Sequence, residues 1–411
     1  MIVLSSLQVK SVVTDLDKLV SRIKTDHKIQ QIIEQPLSIS FFNSGNSTSG
    51  VNGKFVFSQV LIECLLRLKS SNDDTDELIK HCKNAYEGNR FELSNLNEFQ
   101  KQYSSDNAVW WYTRDTFFFK TLNAILRTEN IHMMFLFRAC IADIQQQLKA
   151  HQFKGPLRVY RGQLMSRTEL DNLQESCGQF ISINSFFSTT TKDEQARSFL
   201  TVSASSETLE RVLFDIVADS KAAATKPFAD ISMLSQYSAE SEVLFMIGSI
   251  FRLNSIKRNS DSQLWIIRMT LCSENDSDLK NVLTHMKQQL GTGETNLRIL
   301  GKVLWKMGRL DLAEFYLTRL LNDLPPTHPL LNDLYGDLSE IAGLMQNYDK
   351  SVEYQQKALA HKSSHKLMDA KCSGSDLKQA SKYIKITSAI FTVSIPFKAV
   401  AAYHSLDGIT I

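Results

Sequence analysis

From Asp73 to Leu148, apolar residues recur every three or four positions. Trp111, Phe118, Leu122 and Leu126 form one stripe and Met134, Phe137, Ile141 and Ile144 another, so the spacing predicts two amphipathic helices packed on a core. At Pro156 the period shortens. The runs LRVYRG, GQFISINSFFSTTT, RVLFDIVAD, SEVLFMIGSIFRLNSI and SQLWIIRMTL are rich in β-branched and aromatic residues and are separated by polar turns, which predicts strands. One helical stretch, Lys192 to Leu200, lies among them. Strands so ordered do not give the βαβ alternation of a dinucleotide-binding sheet, and no G-x-G-x-x-G is present, so a mixed α+β domain is expected.

After Asp276 the pattern is helical again, and it repeats. Gly301, Ala313 and Pro325 follow one another at intervals of twelve, as in tetratricopeptide helix pairs. A second copy sets Ser339 against Gly301 and Ser351 against Ala313, a period of 38. Small residues belong where the two helices of a repeat cross closely. Two copies are fewer than the roughly three a solenoid needs, so the unit should lean on a neighbouring domain or a partner chain. Beyond Ser363 the periodicity fails. Upstream, residues 1–70 hold a helix-like start and the polar run NSGNSTSGVNGK, which reads as a linker or surface loop. Gly45 and Gly50 have P-loop spacing, but Val51 and Asn52 stand where Lys and Ser or Thr are required.

Composition narrows the choice of partners. With 411 residues, 43% of them hydrophobic, the chain can build two or three domains, and a net charge of +2 gives no electrostatic case for nucleic acid or a membrane surface. The six cysteines are scattered without a C-x-x-C pair, so they are expected to be reduced and buried. The N-terminus lacks a basic n-region, and Lys10 and Asp15 interrupt its apolar run, so a cytoplasmic location is expected. His361 and His365 share a helical spacing but have no third metal ligand in the pattern.

The candidate chemistry lies in three elements of the β-rich region. LRVYRG ends on Arg161 and Gly162, NSFFSTT carries Ser188 and Thr189 ahead of Thr190, and AESEVLF opens on Glu240 and Glu242. In a strand the two glutamates share a face, where like charges crowd and one pKa should rise.

In order and strand context these elements resemble the arginine-serine-glutamate class of mono-ADP-ribosyltransferases, related to clostridial toxins and vertebrate ecto-enzymes. The resemblance covers roughly residues 70–270 and departs from the family at Thr190, where a serine is usual. It implies a mixed β-sheet core with an N-terminal helical subdomain over 71–275, while the repeat spacing and its loss give the tetratricopeptide-like helices of 280–362 and an irregular tail over 363–411. It also implies NAD as the ADP-ribose donor, with no metal. Arg161 would grip the diphosphate, whose oxygens suit a rigid guanidinium fork, and Gly162 would let the nicotinamide amide approach. Ser188 and Thr189 would hold the nicotinamide ribose, and Phe187 would be either a wall for the nicotinamide ring or a core residue. Glu242 would stabilise the oxocarbenium-like state that forms as the nicotinamide bond breaks.

Tyr237 and Glu240 would meet the acceptor. A Glu at position 240 goes with arginine acceptors, because a protonated guanidinium needs a carboxylate to orient it and take its proton. The expected activity is therefore NAD-dependent protein-arginine ADP-ribosylation, with a protein partner on the repeats. An NAD glycohydrolase would use the same three elements. A catalytically inactive binding module would be expected to have lost some of them, yet Arg161, Ser188 and Glu242 are all present. The histidine-tyrosine-glutamate branch is set aside because Arg161 occupies the first strand.

Overall fold

A computed structural model of the chain describes residues 37–43, 51–202, 209–223, 225–237, 241–259, 264–274, 276, 279–280, 283–284, 288 and 295–372. Glu240, Gly45, Gly50 and the tail from residue 373 lie outside the described residues. The chain divides into two compact units, the first ending at Val303 and the second beginning at Leu304.

In the first unit, β1 (Ile39–Phe42) and α1 (Val51–Arg67) precede the helices that the periodicity announces. The end of the polar run is therefore helical. Asn52 is buried and clasps Asn43 in both directions, accepting from its N–H at 2.8 Å and donating to its carbonyl at 2.9 Å. Next come α2 (Asn72–Ala85), α3 (Arg90–Gln102), α4 (Ala108–Thr113), α5 (Phe117–Thr128), α6 (Ile131–Leu136) and α7 (Arg138–Ala150). The two predicted helices are thus four short ones, because Arg114 turns into the extended region after α4 and Phe137 forms a turn between α6 and α7. Every residue of the two predicted stripes is nevertheless buried.

The strands are β2 (Pro156–Ser166), β3 (Phe180–Ile183), β4 (Phe187–Thr190), β5 (Leu209–Asp219), β6 (Phe228–Asp230), β7 (Glu242–Phe245), β8 (Ser249–Asn259) and β9 (Leu264–Leu271). α8 (Arg167–Glu175) follows β2, and α9 (Asp193–Val202) follows β4. The strand order is β1-β3-β8-β9-β5-β2-β4-β7-β6, and the β5–β9 pair is parallel while the other pairs are antiparallel.

Two runs that read as single strands are each broken in the middle. GQFISINSFFSTTT divides into β3, paired with β8, and β4, paired with β7. SEVLFMIGSIFRLNSI divides in the same way into β7 and β8, at Gly248 with φ +75°. Only glycine adopts that backbone at little cost. A Cβ there would also stand 3.0 Å from Ile62 and 3.2 Å from Lys226. Both crossings carry the chain from one half of the sheet to the other, and residues of both halves share one core. Phe187 and Phe245 meet Phe251 across it at ring distances of 6.1 and 5.5 Å. The result is a mixed α+β architecture with helices ahead of the sheet.

Cys64, Cys82 and Cys140 are buried thiols as expected, and burial raises all three, each to about 12. Cys177 departs from the expectation: it is exposed, because it falls in the turn after α8. No described helix is long and apolar enough to cross a membrane.

The helices α10 (Leu297–Lys306), α11 (Leu310–Asp323), α12 (Leu331–Leu344) and α13 (Tyr348–Cys372) end the described chain. Within the second unit two of the small residues, Ser339 and Ser351, meet. Ser339 of α12 is buried and lies 3.1 Å from the Ser351 hydroxyl of α13, and it also donates to the Ser351 carbonyl at 3.0 Å.

Candidate active site

Strand register brings the three sequence elements together. Thr190 pairs with Tyr160 on one side and with Glu242 on the other, and Ser188 pairs with Leu244. Alternation along a strand turns Ser188 and Thr190 to one face and Phe187 and Thr189 to the opposite one. A cleft opens there, lined by Arg161, Gly162, Ser188, Thr190 and Glu242 from the strands and by Gln195, Ala196 and Phe199 from α9.

Within it the Ser188 hydroxyl donates to Glu242 Oε1 at 2.5 Å. A charge-assisted bond of this kind fixes the carboxylate's rotamer without neutralising it. Arg161 donates from Nη1 to the Ser188 carbonyl at 2.8 Å, and its guanidinium lies 5.4 Å from the centre of the Phe187 ring. It therefore braces β4 from the neighbouring strand. Burial lowers the Arg161 pKa, against the opposing pull of Tyr112 and Glu242; a guanidinium stays charged under such a shift.

Thr189 reaches the cleft wall, but its hydroxyl donates to the Val243 carbonyl at 2.8 Å, so it ties β4 to β7. Thr190 donates to Gln195 Oε1 at 2.9 Å and accepts from the Lys192 N–H, which fixes the entry to α9. Phe187 is a core residue, not a wall of the cleft. It is fully buried and touches Phe214 and Phe245, because it points to the face opposite Ser188.

Two aromatics do line the cleft, Tyr160 on β2 and, on α9, Phe199, half of whose surface is exposed. Sequence reasoning missed Phe199, although it lies within the predicted Lys192–Leu200 helix, three residues after Ala196. Tyr112 lies in α4. It is buried, donates to Asn123 at 3.1 Å and packs its ring against that of Phe186 at 4.9 Å, tilted by 52°. Burial raises its hydroxyl pKa, and the Glu242 carboxylate raises it further.

Gly162 has a reason of its own. A Cβ there would stand 2.1 Å from the Ala196 carbonyl oxygen and 3.1 Å from Leu200 Cγ, so the bare backbone lets α9 lie on β2. Gly162→Ala must displace α9, costing about 1–3 kcal/mol as overpacking does. It is expected to lower the thermal midpoint and to weaken activity through the displaced Gln195 and Phe199; a thermal melt beside a turnover assay checks this.

Tyr237 is half exposed at the end of the 231–237 loop. That loop is anchored at both ends of its described length. The Ile231 N–H donates to the Glu242 carbonyl at 2.9 Å, and the Gln236 N–H donates to the Thr113 hydroxyl at 2.9 Å.

A ribose offers hydroxyls that a fixed carboxylate and a serine can hold, and a nicotinamide ring offers a face that an exposed aromatic can cover. The donor set therefore fits NAD. Residues 88–274 match the family model of the ADP-ribosyltransferase exoenzymes. The segment that holds the cleft is thus an ADP-ribosyltransferase domain. NAD is the donor from which enzymes of this class take ADP-ribose, with release of nicotinamide.

No curated protein matches the chain. Similar solved structures include the Vis toxin, an ADP-ribosyltransferase from Vibrio splendidus, at 24% identity over 51% of this chain and 89% of that one, with a TM-score of 0.33. HopU1 of Pseudomonas syringae pv. tomato is similar at 17% identity over 50% and 99%, with a TM-score of 0.32. C3stau2 of S. aureus, solved with NAD, is similar at 17% over 43% and 92%, with a TM-score of 0.31.

Proposed function

We propose that this domain transfers ADP-ribose from NAD to the guanidinium of an arginine on an acceptor protein. The observation that carries the reading is the Ser188–Glu242 hydrogen bond in the cleft, held in place by Arg161 on the Ser188 carbonyl. As the bond from ribose C1 to nicotinamide breaks, nicotinamide leaves with the bonding electrons and positive charge grows on the ribose. The Glu242 carboxylate is already fixed, so it stabilises that charge without reorganising. Arg161 steadies the strand that carries Ser188, and its charge favours the NAD diphosphate nearby. Phe199 covers the nicotinamide face.

An acceptor nitrogen then attacks C1 and must lose a proton. Glu240, two residues before Glu242, is assigned that proton by its place in the motif, and Tyr237 is assigned a contact with the acceptor protein. The helices from α10 onward we read as tetratricopeptide pairs that engage the target or a scaffold. The Ser339–Ser351 contact supports that reading.

Incubation with labelled NAD and a small guanidino acceptor tests the reaction by following acceptor labelling and nicotinamide release together. Wild type is expected to do both. Glu240→Gln is expected to keep nicotinamide release while losing labelling by about 10²-fold or more, the scale of a missing general base. Nicotinamide release that never labels a guanidino acceptor would replace this reading with NAD hydrolysis.

A further inference from the structure

We infer a divalent transition-metal site between α2 and α6, formed by Glu77, His81 and His132. Glu77 and His81 are four apart on α2, so they share one face of the helix. His132 comes from α6, and its ring meets that of His81 edge to face at 5.7 Å. One ligand atom from each of the three residues lies within 4.8 Å of the others.

His132 Nε2 and Glu77 Oε1 stand 3.3 Å apart. That is longer than the ~2.7–2.9 Å of a good charge-assisted hydrogen bond. It matches the edge, about 3.3–3.4 Å, of a tetrahedron built from metal bonds of ~2.0–2.1 Å. The His81 ligand atom has to close to that spacing from within 4.8 Å, and the ring is exposed, so no packed core holds it in place. Two imidazoles and a carboxylate with a fourth position for water suit Zn²⁺ or Co²⁺ better than the hard cations, which take oxygen ligands.

Neither α2 nor α6 contributes to the cleft. The ion would join two helices that are distant in sequence. It would therefore stabilise the helical layer without entering ADP-ribose transfer.

The test uses the full chain without a polyhistidine tag, freed of metal by chelator and titrated with Zn²⁺ in a calorimeter. One Zn²⁺ per chain and a rise in thermal midpoint on binding are expected. His81→Ala and His132→Ala should each weaken binding by about 10-fold or more and remove that rise. His81 is exposed, so its replacement leaves the fold in place and keeps the test decisive even if His132→Ala folds poorly. The inference is overturned if wild type binds no Zn²⁺, if His81→Ala binds as tightly as wild type, or if binding is lost only in the His361→Ala/His365→Ala variant.

Discussion

Glu242→Gln is expected to abolish acceptor labelling and nicotinamide release together, lowering kcat by about 10²–10³-fold, the scale of one lost preorganised electrostatic contact. The amide carbonyl of glutamine still accepts from Ser188, so the 2.5 Å contact that orients the side chain has a replacement and the fold is expected to hold. Only the charge is lost, and charge is what the developing oxocarbenium state requires. Single-turnover nicotinamide release beside a thermal melt separates the two effects. A variant that keeps more than a tenth of wild-type release with an unchanged melt would move the donor role away from Glu242. Ser188→Ala is the informative companion. It leaves the carboxylate charged but unfixed, so its loss should be smaller than that of Glu242→Gln.

The largest effect on stability is expected far from the cleft. Arg138 is 2% exposed and Asp74 4%, and they form a buried ion pair. Arg138 also donates to the carbonyls of Phe135 at 2.7 Å and Leu68 at 3.3 Å, and Asp74 accepts from the Ser71 N–H at 2.9 Å in a capping box that starts α2. Asp74→Ala leaves a buried cation with carbonyl dipoles but no counter-charge, and it unmakes the cap. The expected cost is about 3–5 kcal/mol, a fall of the order of 10 °C in thermal midpoint for a domain of this size.

The same pair sets an acid limb. Burial pushes the Asp74 carboxyl upward, but its hydrogen bonds to Arg138 and Ser71 outweigh that and hold it below the usual carboxylate range. Its contribution is then complete above the unfolded value of about 3.9 and is lost as pH falls through the lower folded value. Wild type should lose stability below about pH 4 more steeply than Asp74→Ala does, which chemical denaturation at pH 7 and pH 3 would show.

The helical layer and the strand-bearing runs were legible because burial imposes a period, and Trp111, Phe118 and Ile144 keep that period across helix breaks. The breaks were not legible, since Arg114 and Phe137 interrupt the backbone without interrupting the apolar stripe. The division of FISINSFFSTT was hidden for a different reason: the polar residues at the crossing, Asn184 and Ser185, are buried instead of standing out as a surface turn. Gly248 was the one residue in the second run that could have betrayed it. In the site, the Ser188–Glu242 pair follows from motif order and strand alternation. Phe199 did not follow, because it lies on a helix whose approach to β2 depends on the missing side chain of Gly162, a fact of packing in three dimensions.

The short β4–β7 ladder has one more consequence. Glu242 faces Ser188 because Thr190 pairs with Glu242 and Ser188 with Leu244. Sliding β7 along β4 by one position would turn Glu242 into the aromatic core and Val243 out to the cleft, since side-chain direction alternates at every residue. The misaligned sheet would then bury a charge and lack the donor carboxylate at the same moment. The rate of nicotinamide release per mole of chain would therefore scale with the fraction of molecules in which these two strands are in register.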